Sequence, residues 1–265
     1  MRGVNHLISQ YNIINIASRH ESGKKGNLNM KFITVKTYDE LSFKGASLIA
    51  AQVIQKPNCV LGLATGSSPV GIYQNLVKWN REGILDFSEV KSVNLDEYIG
   101  LDGSHPQSYR YFMQDNLFDH INILPENTHV PSGCAEDVAK EGSEYDALIE
   151  SLGGTDIQLL GIGLDGHIGF NEPADHFVGP THLVDLHPST IEANARFFDS
   201  ADEVPRQAVT MGMYSIMRAR KILIVANGAK KKDILLRACY GPITPEVPAS
   251  ILQLHPDVTV IFSEE

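Results

Sequence analysis

Asp165, His167 and Glu172 fall within eight positions of one another in the run Leu159-Leu160-Gly161-Ile162-Gly163-Leu164-Asp165-Gly166-His167-Ile168-Gly169-Phe170-Asn171-Glu172-Pro173. A carboxylate holding one imidazole nitrogen leaves the other free to move a proton near neutral pH, and a second carboxylate can raise the proton affinity of the ring. The pattern reads as an acid/base relay. The sequence has no HExxH pair and its other histidines are scattered, so no catalytic metal is expected. Within the same run, Gly161, Gly163 and Gly166 match G-x-G-x-x-G, with Asp185 following 19 residues later. That fingerprint must open a helix to bind a dinucleotide, and this one runs into Gly169, Pro173, Gly179 and Pro180 with no helical period. No nicotinamide cofactor is expected.

A second pair of acids, Asp96 and Glu97, leaves a β-rich stretch in Val93-Asn94-Leu95-Asp96-Glu97-Tyr98-Ile99-Gly100. One of them could serve as a general base, and the alternative is a turn or cap carboxylate. A third run, Leu61-Gly62-Leu63-Ala64-Thr65-Gly66-Ser67-Ser68-Pro69-Val70-Gly71, passes from an apolar stretch into a small-residue turn, with Pro69 placed to start a helix. Free N–H groups there, with the hydroxyls of Thr65, Ser67 and Ser68 beside Gly66, would cradle a phosphate. The competing reading is a tight turn with Ser68 as N-cap. No Lys follows the glycines, so this is not a Walker A loop. Two cationic stretches could add charge: Arg196, and Lys230, Lys231 and Lys232 after Asn227-Gly228.

The elements that must position these groups alternate. Strands are predicted at 32–35, 59–63, 90–95, 156–162, 221–226 and 258–262, with a helix over 41–54 and another that puts Tyr109, Phe112, Met113 and Leu117 on one face. Repeated βα units imply an α/β fold with a parallel sheet and helices on both faces, whose ligands bind at the carboxyl ends of the strands. The Thr65 loop, the Asp96 pair, the Asp165 run and the lysines after Gly228 each follow such a strand.

At 265 residues, one domain is the default, and 43 % apolar with 20 % charged residues excludes a disordered chain. A net charge of −10 is the wrong sign for a protein whose main partner is nucleic acid. Cys59, Cys134 and Cys239 are odd in number and form no CxxC pair, which points to a reducing, cytoplasmic setting. No apolar run is long enough for a membrane span. Residues 1–29 are rich in Asn, Ser, Gly and Lys and read as a flexible extension or a start placed too far upstream, with the domain over 30–265.

In order along the chain, six motifs resemble the glucosamine-6-phosphate deaminase, or isomerase, family. They are Gly62-Leu63-Ala64-Thr65-Gly66-Ser67-Ser68-Pro69, Asn94-Leu95-Asp96-Glu97-Tyr98, His105-Pro106-Gln107-Ser108-Tyr109, the Asp165 to Pro173 run, Ala193-Asn194-Ala195-Arg196-Phe197-Phe198 and Leu252-Gln253-Leu254-His255-Pro256. The resemblance implies a Rossmann-like, NagB/RpiA/CoA-transferase-like sheet and conversion of glucosamine 6-phosphate and water to fructose 6-phosphate and ammonia without a cofactor. It implies Asp96 as the base between C2 and C1, and His167 as the ring-opening group, oriented by Asp165 and Glu172. Thr65, Gly66, Ser67, Ser68, Arg196 and Lys231 would hold the phosphate.

The rival family, 6-phosphogluconolactonase, shares the fold and an Asp-Gly-His motif but lacks the Asn171-Glu172-Pro173 continuation. A non-catalytic sugar-phosphate-sensing module would need a helix-turn-helix and a basic face, which the short N-terminal segment does not supply. Some deaminases are hexamers activated by N-acetylglucosamine 6-phosphate through an Arg and a Lys just after Asn-Glu-Pro. The stretch Pro173 to Asp185 contains neither residue, so a monomer or small homo-oligomer without that control is expected.

Overall fold

Every residue of the strands Val60–Leu63 and Ile157–Leu160 is buried. Successive strand side chains point to opposite faces, so both faces of the sheet containing them are covered, as in the parallel sheet of an α/β protein. The computed structural model describes residues 30–265 except 196, 197, 199, 201 and 202. Its strands are β1 (Met30–Val35), β2 (Val60–Leu63), β3 (Lys91–Asn94), β4 (Asp96–Tyr98), β5 (Thr128–His129), β6 (Ile157–Leu160), β7 (His182–Asp185), β8 (Gln207–Thr210), β9 (Ile222–Asn227) and β10 (Val258–Ser263). Its helices are α1 (Tyr38–Gln55), α2 (Val70–Arg81), α3 (Tyr109–Asn116), α4 (Val138–Ser151), α5 (Pro188–Asn194), α6 (Met213–Met217) and α7 (Lys232–Tyr240). Residues 1–29, read above as an extension, lie outside the described residues.

Seven strands form one parallel sheet in the order β1-β10-β9-β6-β2-β3-β5. The loops after β9, β6, β2 and β3 therefore leave its carboxyl edge side by side, which is where such a sheet binds ligands. Apolar burial drives this layer: Val60, Leu61, Leu159, Leu160, Leu223, Val225, Val260 and Ile261 are all at most 2 % exposed. The predicted helix over 41–54 is α1, which starts earlier because Thr37 caps it by accepting from the Glu40 N–H at 3.2 Å, with Asp39 and Glu40 in the first turn. Among the described residues, no helix is long and apolar enough to cross a membrane.

The alternation predicts a single sheet, and the structure adds a second, antiparallel one in the order β4-β8-β7. The chain leaves β3, passes Leu95 and enters β4, so Asp96 and Glu97 sit on a strand rather than in the loop expected from the sequence. Beneath this small sheet, Tyr98, Phe170, Leu186 and Ala208 form their own buried cluster.

The expected start of α2 also shifts. Pro69 is the residue before the helix, at φ −84° and ψ −10°, and no side chain caps it, so Ser68 is not an N-cap. The Gly71 N–H is taken instead by the Tyr38 hydroxyl at 2.9 Å, which also reaches the Ser67 and Ser68 carbonyls at 2.9 and 3.1 Å. A tertiary contact from α1 thus supplies what a local cap would have supplied.

Candidate active site

The loop after β6 turns back on itself to aim one imidazole. Gly166, between Asp165 and His167, has φ +95°, a conformation that L side chains rarely adopt. Gly163 lies against the ring, where an added Cβ would come within 2.3 Å of the His167 imidazole. Two glycines of the apparent dinucleotide fingerprint therefore serve this turn, and no helix follows before α5. The Asp165 carboxylate accepts from the His167 backbone N–H at 3.1 Å, fixing the turn.

His167 Nδ1 lies 2.8 Å from Asp165 Oδ1 and 3.4 Å from Glu172 Oε2. Both acids face the same nitrogen, which leaves Nε2 as the one available for proton transfer. Glu172 is held from behind, since its Oε1 accepts from the Thr190 hydroxyl at 2.6 Å and from the His187 N–H at 3.4 Å. Burial pulls the His167 pKa down, but the hydrogen bonds and charges of Asp165 and Glu172 outweigh it and raise it to about 9. Burial likewise opposes the charge on Asp165, and the partnership with His167 overrides it and holds that carboxyl low.

Asp96 is 5 % exposed. Burial, reinforced by the neighbouring Glu97 and opposed by His167, lifts its pKa to about 8. Gly169 of the His167 loop packs against it, with an added Cβ falling 3.3 Å from Asp96 Oδ2. Glu97, one residue along the strand, points the other way. Its carboxylate accepts from the N–H groups of Tyr98, Tyr109 and Arg110 at 2.9, 2.8 and 3.0 Å, which places it at the N-terminus of α3. Of the two readings left open for the acidic pair, Glu97 takes that of the cap, while Asp96 is the buried acid beside the His167 loop.

The candidate phosphate-binding residues Thr65 to Ser68 follow β2, beside the β6 loop, and none of them is buried. An unexpected hydroxyl chain ties this loop to Asp96's strand. The Asn194 amide donates to the Tyr98 hydroxyl at 2.8 Å, the Tyr109 hydroxyl lies 3.3 Å from it, and the Thr65 side chain neighbours Tyr109 in turn. The rings of Tyr98, Tyr109, Phe170 and Phe198 pack together with centroids 4.8 to 5.9 Å apart. Lys231 ends a single 3-10 turn after β9, and Lys232 pairs with Glu264. Arg196 lies outside the described residues.

The structure thus unites Asp96, Asp165, His167 and Glu172 and sets the Thr65 loop beside them. Lys231 is on the adjoining strand end. The sequence reading missed Thr190, Thr210, Asn194 and the two tyrosines as supports. The last three elements appear in the quoted motifs or their flanks, but no local spacing marks what they touch. A cleft of about 1390 Å³ between α4, β7 and α6 lies away from these groups. Asp146 there is engaged by the Thr181 N–H, the Thr181 hydroxyl and the Ser215 hydroxyl at 2.8, 2.6 and 2.8 Å, so its polar groups hold elements together.

The chain resembles known proteins in both sequence and fold. A relative from Lachnoclostridium phytofermentans, named glucosamine-6-phosphate deaminase, is 62 % identical over 232 residues, covering 88 % of this chain and 98 % of its own. A solved structure of a monomeric glucosamine-6-phosphate deaminase superposes with a TM-score of 0.86 at 44 % identity, covering 88 % of this chain and 97 % of that one. A 6-phosphogluconolactonase from Trypanosoma cruzi shares the fold, with a TM-score of 0.68 at 20 % identity over 89 % of this chain and 95 % of that one. The sequence model of the glucosamine-6-phosphate isomerases and 6-phosphogluconolactonases matches residues 38–261, and the chain belongs to that family.

Proposed function

We propose that the chain converts glucosamine 6-phosphate and water to fructose 6-phosphate and ammonia. The observation that carries this is the pairing of two acids on His167 Nδ1, leaving Nε2 to a substrate, beside a second buried acid, Asp96, with a raised pKa. Opening an amino-sugar ring moves a proton at the ring oxygen and the isomerisation moves another between C2 and C1, so two proton-moving groups at different places suit this reaction. The 62 % identity to a named deaminase, against 20 % to a lactonase, supports the same choice.

In this reading, a protonated His167 donates its Nε2 proton to the ring oxygen as the C1–O5 bond breaks and takes a proton back from the anomeric hydroxyl. The open-chain aldehyde acidifies the C2–H. Asp96 removes that proton, and the carbonyl oxygen gains one, giving an enolamine. Asp96 then returns its proton to C1, leaving an imine at C2. Water adds to C2, the C2–N bond breaks, and ammonia leaves with fructose 6-phosphate. A base with a pKa raised toward neutrality is the stronger for that first step. Thr65, Gly66, Ser67 and Ser68, with Lys231 and Arg196, would hold the phosphate, whose binding energy positions C1 and C2.

Three free cysteines support a reducing, cytoplasmic setting, and the net charge of −10 favours a small anion over a polyanionic partner. The monomeric solved relative supports a monomer or small oligomer. The test is to incubate the protein separately with glucosamine 6-phosphate and 6-phosphogluconolactone. Ammonia and fructose 6-phosphate from the first are expected; acid release from the second alone would reverse the assignment.

A further inference from the structure

His167 Nδ1 and Glu172 Oε2 are both buried and stand 3.4 Å apart. Asp165 Oδ1 approaches the same nitrogen to 2.8 Å, and one ligand atom from each of the three residues lies within 4.8 Å of the others. Zinc binds N and O at about 2.0 to 2.2 Å, so the ligand atoms of a tetrahedral site stand roughly 3.3 to 3.6 Å apart. The 3.4 Å separation already has that spacing, and the 2.8 Å one reaches it if the Asp165 carboxylate draws back from Nδ1 by about half an ångström.

We infer that Asp165, His167 Nδ1 and Glu172 form a binding site for a borderline divalent cation such as Zn²⁺ or Co²⁺. The donor set selects it: one imidazole nitrogen with two carboxylates suits Zn²⁺ or Co²⁺, whereas Mg²⁺ and Ca²⁺ take oxygen alone. The supports are built in. Thr190 occupies Glu172 Oε1 and leaves Oε2 to bind the ion, and the His167 N–H fixes the Asp165 carboxylate. Glu172 is 9 % exposed, whereas Asp165 and His167 keep 29 % and 22 % of their side-chain surface, which gives the ion an entry and leaves a fourth position for water. Two negative charges meet the two positive charges of the ion.

Binding replaces the Nδ1 proton, which is released to solvent. The ion is then an inhibitor, because it takes both carboxylates from the imidazole and pins the ring while Nε2 must give and recover a proton. This inhibitory half rests on the function proposed above; the binding half does not.

Co²⁺ is the probe, added to the metal-free full-length chain and read by the visible absorption of its tetrahedral complexes, with Zn²⁺ followed by calorimetry. One site per chain is expected, together with proton release. Asp165→Asn and Glu172→Gln should each weaken binding at least ~10-fold while circular dichroism shows an unchanged fold. Equal affinity in wild type and both variants would overturn the site, as would a weak octahedral spectrum. In the activity arm, ammonia release should fall in proportion to Zn²⁺ occupancy and return with EDTA. Full occupancy without inhibition overturns the inhibitory half. If the metal-free protein releases no ammonia, it is the functional reading that fails, and Co²⁺ binding still decides the site.

Discussion

Thr210 stands directly opposite Asp96 across the antiparallel β4–β8 ladder. Its hydroxyl also accepts the Phe170 N–H at 3.0 Å, three residues beyond His167. One side chain therefore ties the imidazole's loop to the strand that carries the buried acid, and Asn171 adds a second tie through Met211 O at 2.9 Å. Thr210→Val keeps the shape but leaves a buried N–H unpaired, at a cost of about 1 to 3 kcal/mol. A lowered melting temperature with kcat reduced more than KM is raised is expected, and Thr210→Ser should restore both. Unchanged kcat in the Val variant would show that the tie does not position the loop.

Asp96→Asn removes the proposed C2 base without touching the phosphate loop. Steady-state kinetics should show kcat reduced by roughly 10² to 10⁴, with the affinity for a competing sugar phosphate nearly unchanged. Near-normal turnover would take Asp96 out of the mechanism.

The same variant should change the dependence of stability on pH. The folded pKa of Asp96, about 8, exceeds the unfolded value of about 3.9, so the folded state binds the extra proton and stability falls as pH rises between them. Asparagine has no such penalty. Unfolding free energies should diverge in favour of Asp96→Asn from about pH 4 to 8, by an amount on the order of a few kcal/mol, with melting temperatures following. His167, raised to about 9 against about 6.5 unfolded, contributes stability that is complete below its unfolded value and lost as pH passes its folded one. His167→Gln should flatten that alkaline limb, and parallel melting curves in wild type and both variants would refute both assignments.

If His167 opens the ring, an open-chain substrate analogue should bypass part of the defect of His167→Gln. Rates on cyclic and open-chain compounds would be compared directly. Equal losses on the two would contradict the role.

Tyr109→Phe cuts the hydroxyl chain between Thr65 and Tyr98 while keeping the stacked ring. The expected effect is a KM several-fold higher with kcat nearly intact, since the phosphate loop and not the reacting carbons loses its support. A fall in kcat at constant KM would mean that the chain serves the chemistry instead.

Between Pro173 and Asp185 the charged groups are Asp175, which pairs with His176, and Asp185, while burial holds the His182 pKa below its ordinary value. That stretch offers a phosphate no fixed cation. Initial rates should be hyperbolic in substrate and indifferent to N-acetylglucosamine 6-phosphate, with light scattering giving a monomer or small oligomer. A sigmoidal curve made hyperbolic by that effector would refute this.

Asp165, His167 and Glu172 were legible because they are close in sequence and the loop that joins them is made of glycines. The parallel sheet was legible because β2, β6, β9 and β10 are apolar runs between helical periods. The small sheet was not, since His-Leu-Val-Asp at β7 and Gln-Ala-Val-Thr at β8 are four residues each and too short to show a period. Thr190, Thr210 and Tyr38 act through contacts 18, 40 and 33 residues away along the chain, and no spacing rule reaches that far.

The strand β4 is three residues long and carries two carboxylates in succession. Because side chains alternate, a slip of one position would exchange their faces, sending Glu97 toward the imidazole and Asp96 toward α3. A short ladder has little to oppose such a slip. The two N–H groups at the start of α3, of Tyr109 and Arg110, fit a carboxylate in the place of Glu97, so they act as an index pin for the strand. The helix cap is thus what decides which of two chemically similar acids lies beside the His167 loop.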